Sequence, residues 1–339
     1  MAERKITSLD VARKAGVSQS AVSRVFTPGA SASPKTIEKV RRIADELGYR
    51  PNTLARAMVT GKSRIIGLVV AYLDNQFYPV ALERLSRALQ ARGYHVLIFL
   101  AANSTDDVGP VMEELVDYKV DGIVTASVAM TNSLANLCET AGIPVVMFNR
   151  GQDDDRLSEV TSDNVAGGRN VANFLVAGGH KQIAHIAGWQ KASTGRDRAR
   201  GFIDGLLGQG IEPVAVVDGA YDRDTAAALT RELFGKPDHP DAVFVGNDHM
   251  AFAVMDTLRF ELGFSVPEDV SVVGYDDVPI ACWPAYDLTT IRQPVNRMVE
   301  ATVETLIDRI EGAQGPRQTL IPGPLIIRGS ARKPKGFST

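Results

Sequence analysis

Gln19, Ser20, Ser23 and Arg24 fall within six residues and carry the donors that nucleic-acid recognition needs. Glutamine suits the N6/N7 edge of adenine and arginine the O6/N7 edge of guanine, while hydroxyls reach phosphate oxygens. A second chemical set lies at the ends of short apolar runs further on. Ligands of open α/β sheets sit outside the carboxyl ends of the strands. Those ends carry Leu73, Asn75 and Phe77 after IIGLVVAY, Ser127 after GIVTA, and Asn149 and Arg150 after PVVMF. Further on come Trp189 to Arg196, Tyr221, Asn247-Asp248, Asp276-Asp277 and Gln293. Aromatic faces mixed with Arg, Asp and Asn suit a small polyhydroxylated molecule. Arg150 and Arg196 lean the choice toward a sugar acid, although the neighbouring aspartates could neutralise them.

Catalytic patterns are missing. There is no Walker-type phosphate loop, no G-x-S-x-G and no H-E-x-x-H. His180 and His185 are off the i,i+4 spacing of a helical metal pair and read as turn or surface residues; Asp153-Asp154-Asp155 reads as a solvated loop. Neither enzymatic activity nor a metal or cofactor is expected. Phe77 and Trp283 could equally be core, and Asp248 and Asp277 caps.

The first set needs two helices to position it. In TSLDVARKAGVSQSAVSRVF, Ser8 reads as an N-cap and Leu9, Ala12 and Ala15 as an apolar stripe. Gly16 can take positive φ and break the helix. Ser18 then caps a second helix with Ala21, Val22 and Val25 inward, a helix-turn-helix arrangement. Ser33-Pro34 opens a third, whose Ile37, Val40, Ala44 and Leu47 would close the core before Gly48. A short stretch from Pro51-Asn52 to Gly61 is too brief to be a stable helix alone. Its small Ala55 and apolar Met58 suit a segment that orders on DNA and wedges between base steps.

The second set needs a parallel sheet covered on both faces. Strand-length runs alternate with helical patterns such as VALERLSRALQARG, and the cycle repeats after Asn164. About ten strands would make an uncommonly wide single sheet, so two lobes are expected. Charge divides the same way. Residues 1–64 hold thirteen Lys/Arg and five Asp/Glu, a net of +8, against −11 for the remainder. Only the front segment is suited to a polyanion. No apolar run nears the roughly 20 residues of a membrane span. MAERKITSLD lacks a secretory apolar run, and Cys138 and Cys282 are expected as reduced thiols.

SLDVARKAGVSQSAVSRVF followed by SPKTIEKVRRIADELGYRPNTLARAM resembles the headpiece and hinge of the lactose/galactose-repressor family. The resemblance continues through IIGLVV, SDNVAGG, GNDHMA, VPEDVSVVGYDD and LTTIRQP, covering nearly the whole chain. It implies an all-α helix-turn-helix headpiece at 1–50, a hinge helix at 51–63, and a two-lobed periplasmic-binding-protein-like α/β core at 64–339. The first lobe would comprise about 64–162 plus 294–330, including strand LIPGPLIIRGS, and the second about 163–293. By resemblance, Gln19, Ser20 and Arg24 choose the operator. Thr7, Ser8, Ser18, Ser23, Thr27, Ser31 and Ser33 contact DNA around them, with Asn52, Ala55 and Met58 in the hinge. Thr27-Pro28-Gly29 departs from the Asn common after the helix, and Met58 from the commoner Leu. Arg196 falls at the arginine that grips effector hydroxyls and Tyr221 at the stacking aromatic. Asn149-Arg150, Asn247, Asp276 and Gln293 fall at polar contacts. The expected protein is a cytoplasmic, ligand-responsive repressor that binds a palindromic DNA operator as a homodimer and senses a sugar or sugar acid. The tail ARKPKGFST lacks the leucine heptads of tetrameric relatives. A solute-binding protein of the same core fold is the alternative.

Overall fold

The structure, a computed structural model, describes residues 6–27, 31–50, 62–101, 108–128, 130–152 and 156–335. Asn52, Ala55 and Met58 of the expected hinge, and Asp153 to Asp155, lie outside the described residues. The chain divides into two units, Met1–Ser63 and Arg64–Thr339.

In the first unit α1 (Ser8–Ala15), α2 (Gln19–Val25) and α3 (Pro34–Leu47) enclose Val11, Ala12, Ala15, Val22, Val25, Val40, Ile43 and Ala44. The cap of α1 is Thr7 rather than Ser8. Thr7 and Asp10 form a reciprocal capping box, so the helix begins at Ser8, one residue earlier than a cap at Ser8 would place it. That phase turns Leu9 outward, 48% exposed, and brings in Val11. Gly16 and Gly48 end α1 and α3 with φ of 61° and 66°, the left-handed region open to glycine. Ser18 and Ser33 cap α2 and α3.

The second unit holds two six-stranded sheets. The first contains β1 (Ile65–Val70), β2 (His95–Leu100), β3 (Gly122–Ala126), β4 (Val145–Phe148), β5 (Ser158–Ser162) and β11 (Gln318–Ile321), ordered β11-β5-β4-β3-β1-β2. The second contains β6 (Ile183–Ala187), β7 (Ala215–Asp218), β8 (Ala242–Val245), β9 (Ser271–Asp276), β10 (Thr289–Arg292) and β12 (Leu325–Ile326), ordered β12-β10-β9-β8-β6-β7. Every pairing is parallel except β10 with β12. In β1, Ile66, Leu68 and Val70 enter one core and Ile65 and Val69 the other, as period-2 alternation in a doubly covered sheet requires. Helices α4 (Phe77–Ala91) and α11 (Val295–Ile310) contribute to the first core, and α5 (Val108–Asp117) and α6 (Asn132–Thr140) to the second.

The chain crosses between the sheets after β5, after β10 and after β11. Strand LIPGPLIIRGS is therefore split, correcting its assignment to the first lobe. Ile321 ends β11 in the first sheet, and Leu325-Ile326 pair antiparallel with Ile291 and Thr290 in the second. Pro322, Gly323 and Pro324 make the break, since prolines cannot donate to a ladder.

On the second sheet, α7 (Asn164–Ala177) and α8 (Ser193–Leu207) cross closely because glycines face each other. A Cβ at Gly168 would strike the Arg198 carbonyl oxygen, and one at Gly201 the Val165 carbonyl oxygen. Neither backbone could yield, so the pair fixes the depth and rotation of α8. The other face carries α9 (Arg223–Phe234) and α10 (Asp248–Asp256).

His180 and His185 are both buried, correcting their reading as surface or turn residues. His185 stacks on Phe244 with centroids 4.6 Å apart, and its Nδ1 lies 2.9 Å from the Phe244 carbonyl oxygen. Burial lowers the imidazole to about 4 from 6.5. The unfolded chain therefore takes up this proton before the folded one does. Its contribution to stability is complete above pH 6.5 and falls away as pH drops toward 4. Urea unfolding at pH 7.5, 5.5 and 4.5 should show the acid loss shrinking in His185→Phe; an unaltered slope would contradict the assignment.

Candidate functional site

In the helical unit the polar candidates divide between holding the fold and facing solvent. Gln19, Ser20, Ser23 and Arg24 are exposed on α2. Gln19 Nε2 donates to Ser8 Oγ at 2.9 Å, which fixes its direction. Ser18 Oγ accepts from the Ala21 amide at 3.2 Å and lies 2.9 Å from Ser20 Oγ. Thr7 and Ser33 cap their helices, and Thr27 Oγ1 donates to the Ser23 carbonyl at 2.8 Å. Ser31 is exposed. Thr7 Oγ1 also donates to Asp10 Oδ2 at 2.7 Å, so its proton is spent within the cap, whereas a capping hydroxyl that only accepts keeps its proton for a phosphate.

In the second unit the strand ends of both sheets converge on one cleft. Asp276, closing β9, is its centre. Its Oδ2 accepts from Asn75 Nδ2 at 3.1 Å, across from the first sheet, and its Oδ1 accepts from Gln293 Nε2 at 2.7 Å. Asn75 Oδ1 accepts from the Phe77 amide at 3.0 Å, tying the bridge to the start of α4. Arg198 Nη2 stands 3.5 Å from Asp276 Oδ1.

Arg198, 2% exposed, was missed by the sequence reading, which chose Arg196. On α8 the buried positions are Thr194, Gly195, Arg198, Ala199, Gly201, Phe202, Gly205 and Leu206. Arg196 lies between stripes and faces solvent, its Nη1 donating to the Lys191 carbonyl at 3.0 Å. Arg198 spends every arm. Nε donates to Asn164 Oδ1 at 2.9 Å and Nη1 to the Gly246 carbonyl at 2.7 Å, and the guanidinium covers the Tyr275 ring at 3.7 Å. Burial opposes its charge, but Tyr221, Asp276 and Tyr275 outweigh that and raise its pKa further. Burial pushes Asp276 above the usual carboxylate range while Arg198, Asn75 and Gln293 pull it down. Burial, then the charge of Asp276, lifts Asp248 well above that range. Asp248 accepts from Thr290 Oγ1 at 2.6 Å and from the Val278 amide at 3.0 Å, positions a neutral carboxyl can also serve.

Beside this network is a cavity of about 250 Å³ lined by Tyr72, Asp74, Arg150, Trp189, Ala220, Tyr221, Asp222 and His249. The guanidinium of Arg150 lies 5.5 Å from the Trp189 ring centroid. Tyr221 Oη donates to Thr194 Oγ1 at 3.0 Å, and burial keeps the phenol protonated. Among the described residues, six of the nine non-glycine residues with positive φ are Ser127, Asn149, Ala220, Tyr221, Asp276 and Asp277, all at cleft strand ends. Such backbone costs on the order of 1–3 kcal/mol each and clusters at ligand clamps.

The remaining candidates are placed unevenly. Asn149 is buried, Nδ2 donating to Tyr78 Oη at 3.1 Å, and Ser127 is buried at the end of β3. Asn247 is spent as the cap of α10, accepting from the Met250 amide at 2.9 Å. Phe77 packs in the core against Phe148 and Tyr78. Leu73 is exposed and does not line the cavity. Trp283 is 53% exposed, so it is not core. Asp277 receives Arg292 and Arg328, each at 2.6 Å. Tyr72, Asp222 and His249 were missed; Tyr72 stands just before the strand-end window.

Removing Arg198 leaves Asp276 buried without its cation, which should cost about 3–5 kcal/mol in Arg198→Ala. Arg196→Ala should stay within about 0.5 kcal/mol, as exposed substitutions do. Urea midpoints of the two variants decide this; equal losses would return the role to Arg196.

Among the described residues, no helix is long and apolar enough to cross a membrane, and no group of three His, Cys, Asp or Glu is placed to hold a metal. Residues 7–52 match the model for bacterial regulatory proteins of the lacI family, and residues 172–331 that for a periplasmic binding protein-like domain. The HTH-type transcriptional regulator CelR of Thermobifida fusca is 34% identical over 334 residues, 94% of this chain and 96% of CelR. The HTH-type transcriptional repressor PurR of Vibrio vulnificus is 29% identical over 331 residues, 96% of this chain and 99% of PurR. Among solved structures, a CelR–cellobiose complex superposes with a TM-score of 0.73 at 32% identity, covering 96% of this chain and all of that one. A lac repressor dimer bound to operator and the anti-inducer ONPF superposes at 0.87 with 27% identity, covering 96% and 99%. Sequence and architecture agree along nearly the full length, and the chain belongs to the lacI family of bacterial regulatory proteins.

Proposed function

We propose that this regulator is a repressor that binds a palindromic operator as a homodimer and responds to a small hydroxylated metabolite, a sugar or sugar acid, held in the cleft. The observation that carries the reading is the pairing, in one chain, of an exposed Gln19-Ser20-Arg24 reading face with a two-sheet cleft bridged through Asp276. The relatives support it. One solved lac repressor is a dimer on operator DNA, and one CelR structure holds cellobiose. Gln19, Ser20 and Arg24 read base edges, with Thr7, Ser8, Ser18, Ser23, Thr27, Ser31 and Ser33 on the backbone and Asn52, Ala55 and Met58 in the central minor groove. Arg150, Arg198, Tyr221, Asn149 and Asp276 face the effector. It works in the cytoplasm with the DNA, and it is a sensor, not an enzyme.

The effector acts through differential affinity for two lobe arrangements, so operator DNA must alter effector affinity by the same factor. Asn75 and Gln293 hold Asp276 from opposite sides of the cleft, which makes that bridge sensitive to the lobe angle.

A gel shift against a library of palindromic duplexes at moderate salt tests the reading directly, and failure to select any duplex would sink it. On a selected operator, Arg24→Ala should cost about 1–3 kcal/mol at one base pair and relax preference there. A loss equal on every sequence would make Arg24 a phosphate contact. Tyr221→Ala should weaken effector binding by about tenfold, or 1.4 kcal/mol, in calorimetric titration; unchanged affinity would make the ring structural.

A further inference from the structure

Arg150 and Arg198 are the two buried arginines of the cleft, and they differ in what surrounds them. Arg198 is fully committed, to Asp276, Asn164 and the Gly246 carbonyl. Arg150 is 7% exposed, and among the described residues no carboxylate pairs with it. Its Nε has no hydrogen-bond partner, and its guanidinium lies 5.5 Å from the Trp189 ring centroid. A buried guanidinium without an anion is strongly disfavoured, and the flat fork of its donors matches a carboxylate.

The other titratable groups around the cavity leave that charge unbalanced. Asp222 lines the cavity but is engaged as the cap of α9, its Oδ1 accepting from the Thr225 amide at 2.7 Å, and it is exposed to water. Asp74 is exposed, where water screens it. Burial lowers His249, so its imidazole is neutral near pH 7, and burial keeps the phenols of Tyr72 and Tyr221 protonated. Next to Arg150, Asn149 Oδ1 is a buried acceptor with no donor. It calls for a hydroxyl, while the ring faces of Trp189 and Tyr221 suit C–H surfaces.

We propose that the effector is a polyhydroxylated monocarboxylate, a uronic or aldonic acid, whose carboxylate is held by Arg150 and whose hydroxyl donates to Asn149. The assignment rests on the cleft being the effector site. It selects a carboxylate over a phosphate because, among the described residues lining the cavity, a second negative charge meets no further arginine or lysine, and Arg198 beyond it is taken.

The test is isothermal titration of the full-length protein with glucuronate, galacturonate and gluconate against glucose, galactose, cellobiose and glucose 6-phosphate. At least one acid should bind tenfold or more tightly than every neutral sugar and than glucose 6-phosphate. Arg150→Gln should lose at least tenfold for that acid alone, and Arg150→Lys should recover part of the loss. Thermal melts without ligand confirm that the variants are folded. Four results overturn the proposal: no binding by any acid, equal binding by a neutral sugar, tighter binding by glucose 6-phosphate, or undiminished acid binding by Arg150→Gln. Operator gel shifts run alongside separate the two levels. If a neutral sugar alone binds and alters operator affinity, the repressor reading stands and the carboxylate falls. If no operator is bound at all, the repressor reading itself falls.

Discussion

Asp276 is a carboxylate removed from water and shared between two sheets. In a medium of low dielectric such a group is tolerated only when donors surround it. Here Asn75 reaches it from the first sheet, Gln293 from the crossing after β10, and Arg198 from α8. Two of the three donors have their own anchors: Asn75 on the Phe77 amide, and Arg198 on Asn164 and Gly246. Changing the angle between the sheets therefore exposes or starves a charge. A ligand in the proposed effector site then has a charged contact between the sheets to act on.

The placement of Arg198 is in turn a packing result. Two long helices, α7 and α8, lie within backbone contact because Gly168 and Gly201 present no side chain to the opposing carbonyls. At that distance α8 has one rotation available, and Arg198 falls over the Tyr275 ring while Arg196 points to water. Glycines with no chemistry of their own thus determine which arginine meets the carboxylate.

Much of this was legible in the residues. The caps Ser18 and Ser33, the left-handed Gly16 and Gly48, and the apolar strand runs announced their elements because the signals are local. What escaped depended on phase or on tertiary context. Thr7 rather than Ser8 caps α1, since Asp10 reciprocates only with the former. Strand β5, SEVTS, carries no apolar run; Ser158, Thr161 and Ser162 are buried between β4 and β11, which no window of five residues reveals. His185 looked polar but lies flat on Phe244 in the core. Strand-end counting located the cleft, yet it took for contacts both Leu73, which the structure leaves exposed at the surface, and Asn247, which caps a helix. The periodicity that exposes the error at Arg196 was present in STGRDRARGFIDGLL, where small and apolar residues mark the stripe containing Arg198.

Asn75 and Asp276 hold the two lobes together by direct interaction. A double-mutant cycle with Asn75→Ala, Asp276→Ala and the combined variant, read by urea unfolding, isolates that term from the Phe77 bond each Asn75 variant also loses. A coupling energy of about 1.5–3 kcal/mol, that of a hydrogen bond to a charged group, is the predicted result. Losses that add within about 0.5 kcal/mol would show that the two side chains do not hold the lobes to each other.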